Sequence, residues 1–285
     1  MLKGQSIILV FILLILYSSV WAEGIRDEIF YLNQENNLSI NINNFNKLKA
    51  TDAPALIEIL SESKEDKPIK TIIGEMKVSV PAKNGIMLKL AEFNDKRARE
   101  IVEWYMEHSP DRFSRHIAAV SLGTVGDKNS INKLRAAAKD YDPALQLFAV
   151  RALGELGDDS GYDVAIQYLR SLDLTLKTQA IYALAMIGKP EAIPLLKPEL
   201  ESKDCHDVAL LAISKIEYDH LTVKEKPVYL RNLLKKETGE TVYWAAVEFM
   251  KLGDKNIQEL KRIAEKKKYP GRALIKEALA AKEAI

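Results

Sequence analysis

AAVSLGTVGD (Ala118–Asp127), AVRALGELGD (Ala149–Asp158) and AIYALAMIGK (Ala180–Lys189) begin 31 residues apart. In the middle copy, Ala149, Ala152, Leu153 and Leu156 recur at helical spacing and share one side of a helix. The matching residues are Ala118, Ser121, Leu122 and Val125 before it, and Ala180, Ala183, Leu184 and Ile187 after it. Each block then reaches a glycine: Gly126, Gly157 or Gly188. Glycine is favoured just past a helix end because it adopts left-handed backbone without a Cβ penalty. Asp127 and Asp158 follow as candidate N-caps of another helix, and Pro190 suits a first helical turn.

That other helix is visible in NSINKLRAAAK, SGYDVAIQYLR and EAIPLLKPELE, each with apolar residues at i, i+3 and i+4. Short polar breaks follow at Asp140–Asp142, Ser171–Asp173 and Ser202–Asp204, and Pro143 opens the next long helix. The unit is therefore helix, turn, helix, turn. One such hairpin cannot bury its own apolar face, whereas a stack buries a continuous core. The expected fold is all-α: a right-handed α-solenoid of stacked antiparallel helix pairs.

The pattern continues outward with less fidelity. IMLKLAEFND starts at Ile86, ALLAISKIEY at Ala209 and AAVEFMKLGD at Ala245, and PGRALIKEALAAKEAI supplies a last amphipathic helix. Terminal repeats of such arrays are atypical because they cap the stack. The array is thus assigned to 86–285 and a leader and capping region to 23–85. Within the latter, TDAPALIEIL reads as a helix from Thr51. QENNLSININNFN fits a short strand or a flexible leader, and TIIGEMKVSVPAKNG fits helix or strand.

The first 22 residues carry one charge, Lys3, then an apolar run from Ile7 to Leu16 and small residues at Val20 and Ala22. This is the layout of a signal peptide cleaved near Ala22; a retained anchor is the alternative. The chain is expected to be exported, periplasmic or secreted, with no membrane span in the mature part. Cys205 is the sole cysteine, so no intramolecular disulfide can form. It is read as a buried thiol, with a reactive thiol or pairing with another chain as the alternatives. Charge is unevenly distributed: residues 23–220 carry net −6 and residues 221–285 net +6. Such asymmetry marks an electrostatic partner surface or a solvated helical face.

The ALGELGD ending, the Pro or Asp openings and the short two-helix unit resemble HEAT-like repeats, in particular the short class also found in phycobilin lyases. The resemblance spans about Ile86 to the C-terminus. It implies a stacked helical scaffold, and at most a lyase-like or chaperone-like action on a tetrapyrrole. An arginine expected early in the second helix is partly kept, the column reading Arg115, Gln146, Lys177 and His206. Tetratricopeptide repeats, with a period of about 34 residues, fit less well.

The residues supply no catalytic constellation. His108, His116, His206 and His220 form no metal-spaced set, and no cofactor is implied. Cys205-His206-Asp207 is not a triad, because adjacent helical residues face different ways. KRIAEKKKYPGR is basic with Tyr269 interleaved, yet Glu259 and Glu265 dilute its charge. The sequence therefore points away from nucleic acid and leaves contact of the basic C-terminal region with an anionic surface open. A partner protein is expected on the exposed face of the second helices, carrying His116, Leu147, Arg151, Glu155, Tyr182, Met186, Asp207 and Tyr243. Three readings result: a non-catalytic protein-binding scaffold or adaptor; a protein acting on a bound tetrapyrrole or other small ligand; and a self-associating cell-envelope protein.

Overall fold

The computed structural model describes residues 30–32, 38–71 and 74–283. The expected signal segment lies outside these residues. Two compact units divide the chain after Gly161.

In the first unit, β1 (Phe30–Leu32) pairs antiparallel with β2 (Leu38–Ile40), with Tyr31 opposite Ser39. A single turn, α1 (Ile42–Phe45), and α2 (Ala53–Glu62) follow. A second hairpin joins β3 (Ile69–Thr71) to β4 (Gly74–Met76), with Lys70 opposite Glu75. Both ambiguous N-terminal stretches thus contain strand. The helix expected from Thr51 begins as a 3₁₀ turn at Ala50 and becomes α-helical at Ala53. Then come α3 (Val80–Glu92), α4 (Arg99–His108), α5 (Arg112–Val125), α6 (Ser130–Ala137) and α7 (Pro143–Glu155). Helix α3 opens at Val80 under the Ser79 cap, so the boundary expected at 85 falls inside a helix.

The capping elements are tied to the repeats by polar contacts. The Tyr105 hydroxyl of α4 donates to the Leu60 carbonyl of α2 at 3.0 Å, and Lys83 of α3 meets Asp66 at 2.6 Å. Leu56, Ile59, Leu60, Ile86, Met87 and Leu90 are fully buried there. Helix α3 packs on α5, and α5 on α7.

The second unit contains α8 (Tyr162–Leu169), α9 (Leu174–Ile187), α10 (Ile193–Leu196), α11 (His206–Asp219), α12 (Lys226–Lys236), α13 (Gly239–Lys251), α14 (Asp254–Glu265) and α15 (Arg272–Glu283). Helix α9 packs on α11, α11 on α13, and α13 on α15. Helix α10 is a single turn flanked by 3₁₀ turns at Pro190–Ala192 and Lys197–Glu201. Pro194 and Pro198 lack the N–H that a continuing α-helix would use, which explains the interruption. Among the described residues no helix is long and apolar enough to cross a membrane.

The repeat punctuation differs in part from expectation. Gly157 (φ 79°) and Gly188 (φ 74°) are left-handed, whereas Gly126 has φ −69°. A Cβ at Gly126 would sit 2.3 Å from the Leu122 carbonyl oxygen, so close approach, not left-handed backbone, requires glycine there. Asp127 and Asp158 do not cap helices; each accepts from a backbone N–H two residues on, within the turn. The true caps form another column at the same spacing: Asp111, Asp142 and Asp173 accept backbone N–H groups at the starts of α5, α7 and α9.

A small-residue column marks the openings of the first helices. Ser130, Gly161 and Ala192 stand 31 residues apart, at or just before the openings of α6, α8 and α10. Ser130 and Ala192 are fully buried, and a Cβ at Gly161 would lie 2.6 Å from both γ-methyls of Val150 in α7.

Candidate functional site: the exposed face of the second helices

In the first unit the exposed face is set by the register of α5 and α7. On α5, Phe113, Ile117, Val120 and Thr124 follow i, i+4, i+7 and i+11, so they share one side. Adding 31 to each gives Ala144, Phe148, Arg151 and Glu155 on α7. Phe113 is 66% exposed, and Ile117, Val120, Phe148 and Arg151 are partly exposed. Leu88 on α3, 45% exposed, stands 32 residues before Val120, as Ile86 does before Ala118. Arg151 pairs with Glu155 at 3.1 Å, and the Glu155 carboxylate lies over Gly123, where a Cβ would strike it.

His116 and Leu147 do not belong to this face. Leu147 is fully buried, and His116 is buried with its Nε2 2.7 Å from Asp142 Oδ2. The expected face stepped back four residues from Arg151 to Leu147, where the helix presents Phe148, three back. One residue is about 100° of rotation, enough to carry a side chain from surface to core. Phe113, Ile117, Val120 and Phe148 hold the exposed positions of this face instead. The signal that finds them is helical spacing back from Arg151, to Phe148 and Ala144, followed by the 31-residue offset, which gives Val120, Ile117 and Phe113.

The buried His116 has a structural task. Asp142 takes His116 on one oxygen and the Ala144 N–H and Arg112 (3.3 Å) on the other. Burial pushes the Asp142 carboxyl upward; the His116 hydrogen bond and charge outweigh this and hold it below the usual carboxylate value. The partly kept Arg column also braces turns. Arg115 reaches Asp140 at 2.5 Å, Lys177 reaches Glu199 at 3.5 Å, and the His206 Nδ1–H donates to the Leu200 carbonyl at 2.6 Å.

In the second unit the structure brings together several of the expected residues. The Tyr182 hydroxyl on α9 donates to Glu240 on α13 at 2.8 Å. Gly239, beside Glu240, approaches Asp207 of α11, and Tyr243 stands one turn further along α13. Met186 Sδ lies 3.5 Å from Lys215 Nζ. Tyr182, Met186 and Tyr243 are partly exposed and Asp207 is exposed.

Cys205, His206 and Asp207 do not converge. Cys205 is 1% exposed, and burial pushes its thiol upward, which disfavours the nucleophilic thiolate. His206 turns to a backbone carbonyl and Asp207 to Gly239, so the three neighbours diverge. His108 and His220 each bond a carbonyl one turn back in their own helix. Among the described residues no group of His, Cys, Asp and Glu could hold a metal ion.

Stacked antiparallel helix pairs with this internal period define an all-α solenoid. Residues 131–217 match the family described as HEAT repeats. A solved structure titled "The structure of the complex of CpcE and CpcF of phycocyanin lyase from Nostoc sp. PCC7120" is similar to this chain. The match covers 84% of this chain and 90% of that chain, at 17% identity and a TM-score of 0.48. No curated protein matches the sequence.

Proposed function

We propose that this chain is an exported scaffold that binds another protein through the exposed face of its second helices. The observation that carries the reading is the stripe Phe113–Ile117–Val120 on α5, continued by Phe148 and Arg151 on α7. Phe113 stands 66% exposed at the head of this stripe, in register with the partly exposed Ile117 and Val120. Aromatic residues and Arg are the types enriched at protein interfaces, and stacked repeats present such surfaces in register. Export rests on Lys3, the apolar run from Ile7 to Leu16 and the small residues before Glu23.

A photo-crosslinking side chain placed at Phe113 or Val120 should capture a partner that the same group at exposed Asn132, on α6, does not. Arg151→Glu should abolish that capture. Equal capture from Asn132 would overturn the docking face, and catalytic turnover by the purified chain would overturn the scaffold reading. N-terminal sequencing of the native protein should begin at Glu23; an intact Met1 would remove export by cleavage.

A further inference from the structure

A second feature of the second unit has no part in the stripe. Helices α12 and α14 flank a surface groove of about 510 Å³. Lys235, Lys255, Arg262 and Lys266 line it against one carboxylate, Glu259. Arg231 already holds that carboxylate through two contacts of 2.5 and 2.9 Å. Lys255, Arg262 and Lys266 are exposed, and none of the four lining cations forms an ion pair among the described residues. Four cations around a single carboxylate that Arg231 already pairs carry excess positive charge and repel one another, a cost that an anionic ligand relieves. The Glu259 carboxyl itself is held below the usual range, first by the Arg231 hydrogen bond and then by the charges of Arg231, Lys235 and Arg262.

We propose that this groove binds an acidic polypeptide segment. The claim rests on the scaffold reading only in taking the partner to be a protein; its surface and its test are separate from the stripe. From Lys255 to Lys266 the groove follows α14 for about 16 Å at 1.5 Å per residue. An extended peptide of about five residues spans that length, so its carboxylates meet ammonium groups along the way. Three of the four cations are lysines, whereas phosphate recognition favours Arg forks and helix N-termini. Buried Ile263 gives the groove an apolar wall that suits peptide side chains. Tyr269 is less suited to stacking a base or sugar, because Lys268 Nζ already covers its ring at 5.2 Å.

The test is fluorescence anisotropy of a labelled hexaglutamate peptide titrated with the full chain at low and moderate salt. Binding should weaken with salt and fall at least about tenfold in Lys235→Glu and in Arg262→Glu. Glu259→Gln should bind more tightly than the parent. Lys128→Glu, an equal charge change on an exposed side chain of the other unit, should leave binding unchanged. Circular dichroism checks that each variant keeps its helices. An equal loss in Lys128→Glu would overturn the groove. Tighter groove-dependent binding of an oligothymidylate, a heparin fragment or phosphatidylglycerol vesicles would overturn the peptide and assign the groove to that polyanion. Loss of stripe crosslinking with peptide binding retained would sink the stripe alone.

Discussion

Asp142 shows how much one side chain can carry in a repeat. It caps α7, accepts from His116 and draws in Arg112, while only 5% exposed. Asp142→Asn keeps a capping oxygen but removes the charge, and should cost about 2 kcal/mol in urea unfolding at neutral pH. The sign of its pH dependence follows from the depressed carboxyl. The stabilisation is complete above the ordinary value of 3.8 and drains as pH falls through the lower folded-state value. The gap between parent and variant should therefore shrink on acidification below pH 3.8; a gap constant with pH would deny the charge its role. Two glycines offer a contrast. Gly157→Ala meets open space but left-handed backbone, and should cost about 1 kcal/mol. Gly126→Ala has ordinary φ yet collides with a carbonyl, so its cost should be the larger of the two in thermal melts.

At the scale of elements, Gly161, in the Ser130–Gly161–Ala192 column, packs directly on Val150 of α7. Gly161→Ala should destabilise by about 1–3 kcal/mol through overpacking on Val150. Val150→Ala introduced alongside should restore part of that loss, and strict additivity of the two would refute the contact. The helices themselves were legible because a 3.6-residue period and a 31-residue recurrence reinforce each other over three copies. The N-terminal hairpins were not, because three-residue strands are too short for a period to establish itself. The face was legible only to within one residue, since small residues such as Ala144 and Ala149 fill neighbouring positions and apolar Leu147 and Phe148 are adjacent. His116 reads as surface in sequence because nothing local announces that Asp142, 26 residues on, will satisfy it.

For the whole molecule, carboxylates with depressed values recur in both units. Burial raises and hydrogen-bonded partners lower Glu103, Asp140, Asp142 and Asp158, with the lowering dominant. Glu259 is lowered first by Arg231. Each adds stability that is present above its unfolded value, 3.8 for Asp or 4.5 for Glu, and disappears below the folded one. The melting temperature should be nearly flat from pH 8 to about pH 5 and fall steeply below pH 4; a melting temperature that rises on acidification would contradict these assignments. The Tyr182–Glu240 hydrogen bond carries a different consequence. It joins α9 to α13 past the intervening α11, so two repeats that could flex independently share a stay. A stack of hairpins behaves as a spring whose softest mode is bending between neighbours, and a link between next-nearest neighbours stiffens that mode. A ligand that enters between Tyr182 and Glu240 must release the stay, and would be felt as slackening along α9, α11 and α13 together.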